Sequence, residues 1–407
     1  MVQRSKRSSE EKPLPDVRVL RKPDKKTLLN IGVDPHSVDI LLAKTVQRFL
    51  LLTGVRPYMA NILKQTMLSI GGDVAVHRDV ISGKIERSNC LIIGDLRHYR
   101  RLLEKLNHQP GFRQLCSIME EKAFKDEDGL ALDLCGKRFG WDVKPVIMGI
   151  LNVTDDSFSD GGLWNDTEKA YRHAMEMLEQ GAEIIDVGGE STRPGSQAIG
   201  EEEELKRVIP VIEKIASSTS TPISIDTQKS GVASRAIDSG ASIVNDISAL
   251  RSDPDMLDVI REKKAGVILM HMRGTPADMQ KNTHYSDIIG EIYAFLKQKV
   301  ELCMNAGILK TSILIDPGIG FGKDVNGNLE IIKHISEFRG LGMPVVLGYS
   351  SKSFIGAVLD TPVNDREHGT DAMTAWSTIE GVHIVRVHNV RNAVRIRHML
   401  RSVMGSQ

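Results

Sequence analysis

The chain has 407 residues, and its 53 Lys and Arg balance 53 Asp and Glu. This length exceeds one ordinary domain, and the zero net charge excludes a global pull toward nucleic acid or an anionic membrane. Cys90, Cys116, Cys135 and Cys303 stand alone without C-x-x-C spacing, which argues against a disulfide framework or zinc cluster and fits a reducing cytoplasm. No apolar run approaches the ~20 residues of a membrane span, and the N-terminus lacks the apolar region of a secretory signal.

In chain order, residues 1–26 hold nine Lys or Arg, four acidic residues and three prolines, the composition of a flexible basic leader. Residues 38–69 carry helical periodicity broken near "TGVRP". "DVAVHRDVI" alternates apolar and polar residues, and "NCLIIGD" reads as a buried strand feeding the helix "LRHYRRLLEKLN". Together they predict a small α/β module over 27–128, to which no function attaches. "LALDLCGKRFGWD" (130–142) alternates on either side of Cys135-Gly136-Lys137, predicting a β-hairpin at the start of a second domain, 129–407.

From residue 146 the rhythm changes and repeats. Apolar strands in "VIMGILNV", "EIIDVGG", "PISIDT", "SIVNDIS", "GVILMHM", "ILIDPG", "PVVLGYS" and "HIVRVHN" alternate with amphipathic helices. Eight such units predict an α/β fold of the (β/α)8 TIM barrel type. A doubly wound open sheet is the runner-up, but no G-x-G-x-x-G follows the first strand. "GIGFGK" (318–323) fails as a phosphate-binding P-loop on its glycine spacing, and Asp324 stands where that motif needs Ser or Thr.

Chemistry in a parallel barrel gathers where the strands end. Asn152 ends the first strand, Glu190, Ser191, Thr192 and Arg193 follow the second, and Asp226 ends the third. Asn245 and Asp246 lie in the fourth and His271 in the fifth, while Asp316 ends the sixth. Lys352 follows the seventh, and Arg386 and His388 lie in the eighth. Singly, each Asp, Asn or Thr is as readily a helix cap. Gathered at one face, with Asp226, Asn245 and Asp316 set in apolar strands, they need polar partners, because an unpaired buried carboxylate or amide costs on the order of several kcal/mol. Carboxylates and an amide suit a planar heterocycle bearing amino and ring N–H donors. Arg386, His388 and Lys352 suit an anion, and Asn152 offers one neutral oxygen to a magnesium ion that takes its other ligands from diphosphate and water.

"GILNVTDDSFSDGG", "DVGGESTRPG", "ISIDT", "IVNDIS", "MHMRGTPADMQ", "DPGIGFGK", "GYSSKSFIG" and "HIVRVHNV" together resemble the dihydropteroate synthases in order and spacing, over roughly 146–403. The resemblance implies displacement of diphosphate from 6-hydroxymethyl-7,8-dihydropterin diphosphate by 4-aminobenzoate, in a cytoplasmic, Mg2+-dependent homodimer. It implies that Asp226, Asn245, Asp316 and Lys352 hold the pterin. Asn152 would hold the metal and, with Arg386 and His388, the diphosphate. Thr192, Arg193, Pro194, Phe321 and Ser353 would surround the aminobenzoate. Asp226, Asp316, Lys352, Arg386 and His388 would form the catalytic set, with His271 packing behind it.

The loop "NVTDDSFSDGG" after the first strand reads as part of a lid, with Asp155, Asp156, Ser157 and the apolar Phe158 between the strand and Gly161-Gly162. Asp155 stands where the family usually has proline and Ser351 where it has arginine. Arg273 replaces a common Gln and Asn389 a common Asp. A pterin-dependent methyltransferase acting on a corrinoid protein, or a non-catalytic pterin-binding protein, is the alternative. The methyltransferase has no need for "ESTRPG" or the "RVH" anion site, and the retained Asn152, Lys352, Arg386 and His388 argue against the non-catalytic protein.

Overall fold

The computed structural model describes residues 20, 23–124, 132–134, 137–139, 145–154, 162–191 and 198–405. The chain divides into two compact units, Met1–Asp126 and Glu127–Gln407. The first contains α1 (Lys25–Ile31), α2 (Pro35–Thr45), β1 (Gln47–Val55), α3 (Pro57–Ile70), β2 (Asp73–Val76), β3 (Ser88–Asp95), α4 (Leu96–Leu106) and α5 (Arg113–Phe124). Its antiparallel sheet has the order β1-β3-β2. Tyr99, Leu102 and Leu106 of α4 join Leu63, Met67, Ile92 and Phe112 in one buried cluster. Asp95 caps α4, accepting from the backbone N–H groups of Arg97 and His98.

The N-terminal unit departs from its expected helical pattern in one element. The helical periodicity read over 38–69 runs through residues 47–55, which form β1. "QRFLLLTGV" has three consecutive leucines, and a short apolar run suits a strand or a helix equally. The decision comes from Leu50, Leu51 and Leu52 pairing with Ile92, Leu91 and Cys90 of β3.

The second unit opens with the short antiparallel pair β4 (Leu132–Leu134) and β5 (Lys137–Phe139), within the span expected for a hairpin but with Lys137 paired to Leu134 in the ladder. Then come β6 (Val146–Asn152), α6 (Gly162–Glu179), β7 (Ile184–Gly188), α7 (Glu201–Ser218), β8 (Ile223–Asp226), α8 (Ser230–Asp238), β9 (Ile243–Asp246) and α9 (Met256–Lys263). They continue as β10 (Gly266–Met270), α10 (Ile288–Asn305), β11 (Ile313–Asp316), α11 (Val325–Lys333), α12 (Ile335–Phe338), β12 (Val346–Gly348), α13 (Ser353–Leu359), α14 (Glu367–Ile379), β13 (Ile384–Val387) and α15 (Val390–Met404). The parallel strands run β11-β10-β9-β8-β7-β6-β13-β12, and a parallel bridge between Ile315 and Val345 joins the two ends. This is the expected TIM barrel.

Side chains of a strand alternate between its two faces. Outward residues such as Ile185, Val187, Ile225, Val244, Ile315 and Val385 pack with helix residues such as Val211, Ile212 and Ile215. Inward, Val146, Met148, Ile184, Ile243, Ile268, Leu314, Val346 and Ile384 form a separate apolar floor. Two residues further along the strands, the same inward face carries Asp186, Asn245, Asp316 and Arg386, with Asp226 two beyond Ser224. The alternation that fills the floor thus sets a polar layer above it. Among the described residues no helix is long and apolar enough to cross a membrane.

Removing the Ile184 side chain opens a cavity in a floor that has no solvent to fill it. Ile184→Ala should lower unfolding stability by about 2–5 kcal/mol, measurable by denaturant titration. A loss under about 1 kcal/mol would mean that the floor collapses around the gap.

Candidate active site

The polar layer is organised around Arg386. Its Nε donates to Oδ2 of Asp186, and its Nη2 donates to Oδ2 of Asp226 at 2.6 Å. Asp186 is 0% exposed and Asp226 6%, so neither carboxylate has water to compensate for desolvation. Asn245, buried in β9, gives its Nδ2 to Asp186 at 3.2 Å. Oδ1 of Asp226 is buried and has no hydrogen-bond partner among the described residues. An orphan carboxylate oxygen of this kind marks where an outside donor is wanted.

Asp316, at the end of β11, accepts from the backbone N–H of Gly318 at 2.7 Å. Lys352 donates to the carbonyl of Ile319 and lies 4.5 Å above the centre of the Phe321 ring. Burial acts on each of these groups and wins. It pushes Asp226 up to about 7, against Arg386 and with help from Asp186. It raises Asp316 against the pull of Lys352 and the Gly318 N–H, and it lowers Lys352 to about 8 against the attraction of Asp316. Three acidic side chains, Asp186, Asp226 and Asp316, face two basic ones, Arg386 and Lys352. The cup thus accepts hydrogen bonds and favours positive charge.

Beside it, Ile247, Met270, Met272, Met279 and Phe321 form a buried apolar wall. The loop from Gly318 to Lys323 lies against the end of β10. Gly318 has φ +73°, and a Cβ there would fall onto the carbonyl oxygen of His271. Gly320, at φ +85°, leaves room for the Lys352 stem, whose Cδ would be 3.1 Å from an added Cβ. Lys323 turns inward, donating to Nδ1 of His271 at 3.0 Å, the carbonyl of His271 at 3.1 Å and the carbonyl of Phe321 at 2.9 Å. Burial, with Lys323, Arg251 and Arg273 nearby, drives His271 down to about 2, so the imidazole is neutral. It packs edge-on against Phe295 at 5.0 Å between ring centres, the packing role expected for it.

Asn152 ends β6, half-buried, with Gly188 beside it. His388 is exposed, and its Nδ1 meets the hydroxyl of Ser350 at 2.9 Å. Ser353 opens α13 and is exposed. Glu190 and the buried Glu204 share Lys229, whose bond to Glu204 is 2.6 Å. Thr192, Arg193 and Pro194, and the lid residues Asp155, Asp156, Ser157 and Phe158, lie outside the described residues. Among the described residues no three His, Cys, Asp or Glu side chains form a metal cluster.

The departures from the family pattern also find places. Arg273 pairs with Glu291 at 2.6 Å and lies 3.6 Å over the Tyr285 ring, so its charge is already engaged. Asn389 caps α15, accepting from the N–H of Asn392, as an aspartate would. Ser351 is left-handed at φ +56°; its carbonyl accepts from Arg366 and its N–H donates to Thr370. Sequence reading passed over two residues, Asp186 and Lys323. The signal for Asp186 was present in "EIIDVGG", where a carboxylate sits inside an apolar strand as Asp226 does. Nothing local reveals that Lys323 turns inward.

The family described as pterin binding enzyme matches residues 148–388. The dihydropteroate synthase of Bacillus subtilis is 44% identical over 262 residues, 64% of this chain and 90% of that protein. The Xanthomonas albilineans dihydropteroate synthase solved with 4-aminobenzoic acid is 40% identical with a TM-score of 0.64, over 68% of this chain and 98% of that one. A probable bifunctional folylpolyglutamate synthase/dihydropteroate synthase of Haloferax volcanii is 37% identical over 349 residues, 83% of this chain and 41% of that protein. That alignment is too long for the barrel unit alone and so extends into the N-terminal unit.

Gly318→Ala combines a left-handed backbone with a clash against main chain, and should cost about 2 kcal/mol or more. Gly200→Ala, where an added Cβ meets nothing within 4 Å, serves as the control and should cost far less. Equal melting temperatures for the two variants would contradict the packing of this loop.

Proposed function

The chain belongs to the pterin-binding enzyme family, and from that premise we propose how its barrel mouth performs the dihydropteroate synthase reaction. In that reaction 4-aminobenzoate displaces diphosphate from 6-hydroxymethyl-7,8-dihydropterin diphosphate. The observation that carries the assignment of roles is the unpartnered buried Oδ1 of Asp226 in a cup that also holds Asp316. A pterin supplies the amino and ring N–H donors these carboxylates lack. Asn245 and Lys352 complete its polar edge, and the wall from Ile247 to Phe321 covers its ring.

The amine of 4-aminobenzoate forms the new C–N bond at the pterin methylene. The C–O bond to diphosphate breaks, its electron pair leaves with the oxygen, and the amine loses a proton. Positive charge that develops on the methylene and ring meets the excess of carboxylates in the cup. Arg386 balances Asp186 and Asp226, offsetting part of the cost of burying both carboxylates away from water. Its further contact, with His388, is to the departing diphosphate at the rim. Thr192, Arg193, Pro194, Phe321 and Ser353 receive the aminobenzoate, and Asp155, Asp156, Ser157 and Phe158 exclude water.

Magnesium fits the donor set in a limited way. The carboxamide of Asn152 is a single neutral oxygen at the strand end, and Gly188 leaves space beside it. An ion that keeps phosphate and water ligands needs no more than one or two protein oxygens. Held by Asn152, it would neutralise charge on the diphosphate.

Homodimerisation has a candidate face in α13–α15, where Val358, Leu359, Ile379, Met399 and Val403 are exposed. Cys90, Cys116 and Cys303 are free and buried, in keeping with a reducing cytoplasm.

Diphosphate release on mixing the two substrates with magnesium tests the reaction, and calorimetry tests the residues. Asp226→Asn and Asp316→Asn should each weaken pterin binding by about 1–3 kcal/mol or more. Unchanged affinity in both variants would remove these residues from the site.

The lowered pKa of Lys352 sets a pH limb. Its ammonium is present below about pH 8 and is lost above it, so the pterin dissociation constant should climb as pH rises past that value. Lys352→Met should bind weakly throughout and show no such climb. An identical pH dependence in the two proteins would exclude Lys352 as the source.

A further inference from the structure

Asp186 stands inward in β7, two residues beyond Ile184 of the floor, and is wholly buried. It receives Nε of Arg386 and Nδ2 of Asn245. A carboxylate bound to an arginine can only accept. The Asn245 carboxamide must therefore turn its NH2 toward Asp186, because the opposite orientation would set oxygen against oxygen. That leaves Oδ1 of Asn245 without a hydrogen bond among the described residues. The choice between donor and acceptor at this side chain is thus made by a neighbour that the sequence reading passed over.

We propose that Asp186 is a positioning residue that fixes Asn245 as a hydrogen-bond acceptor for the amino group of the pterin. The inference rests on the pterin reading above and adds where the donor–acceptor polarity of the cup comes from. With Asn245 turned this way, the cup presents acceptors from Asn245, Asp226 and Asp316 to the donor-bearing edge of the ring. Arg386 is fixed by the same carboxylate, so one buried group orients a cation and an amide together.

Asp186→Asn preserves shape and reverses polarity. The oxygen of the new amide must stay with Arg386, which only donates, so its NH2 faces Asn245. Asn245 then turns its own oxygen inward and presents NH2 to the ligand. Adding Asn245→Asp restores an acceptor on the ligand side, because a carboxylate can accept from the new amide and from the pterin at once.

Titration calorimetry on the full chain, with 6-hydroxymethylpterin and its 2-desamino analogue, reads this directly. The unaltered protein should prefer the amino compound. Asp186→Asn should weaken the amino compound by about tenfold or more and leave the desamino analogue nearly unchanged. The double variant Asp186→Asn/Asn245→Asp should return to within about threefold of the original preference. Equal losses for both ligands, or no recovery in the double variant, would overturn the inference, since a merely structural Asp186 predicts those results. If Asp186→Asn does not fold, the double variant, with all its hydrogen bonds paired, decides by whether it keeps the amino preference. Failure of the unaltered protein to bind either ligand would overturn the pterin reading itself, and this inference with it.

Discussion

Arg386 extends across the barrel interior from β13 to Asp186 on β7 and Asp226 on β8, joining positions 200 and 160 residues apart in sequence. The polar layer depends on this shared cation. Without it, two carboxylates with almost no solvent access would face each other in a low-dielectric space, and the cost would drive one of them to take up a proton. With it, Asp226 keeps one oxygen engaged and one open, and Asp186 has an acceptor left to orient Asn245. Breaking such a buried set by removing one member is expensive even where the intact set adds little net stability, so the arrangement is better understood as specifying geometry than as holding the barrel together.

The barrel itself is held by apolar packing on both faces of its strands. The floor from Val146 to Ile384 closes the interior below, and the helices cover the outside. Because the floor excludes water, the cup above it is dry on one side, which strengthens every electrostatic interaction in it. Burial moves Asp226, Asp316 and Lys352 each toward its neutral form while their mutual attraction works the other way. The site is consequently close to a balance that a bound ligand can tip, a common feature of catalytic centres.

The loop after β11 shows how backbone shape supports that balance. Gly318 lies against the carbonyl of His271, and Lys323 ties the same carbonyl to that of Phe321. These contacts hold Phe321 beneath Lys352. The lysine that looks like a phosphate ligand in "GIGFGK" is an internal clip, and the neutral His271 is its partner.

Much of this was legible in the chain. Eight apolar strands separated by amphipathic helices dictate a barrel, since the two periods are local properties of sequence. The rule that polar residues at strand ends face one mouth puts Asn152, Asp226, Asn245, Asp316, Lys352 and Arg386 together from their positions in the chain. Short apolar runs carry no such information about their partners, which is why "QRFLLLTGV" needed β3 to become a strand. The pairing of Arg386 with Asp186, the turn of the Asn245 amide and the inward course of Lys323 needed the closed barrel as well. Sequence spacing determines which way a side chain leaves its strand, but only closure determines which charge, distant in the chain, it meets once water has been excluded.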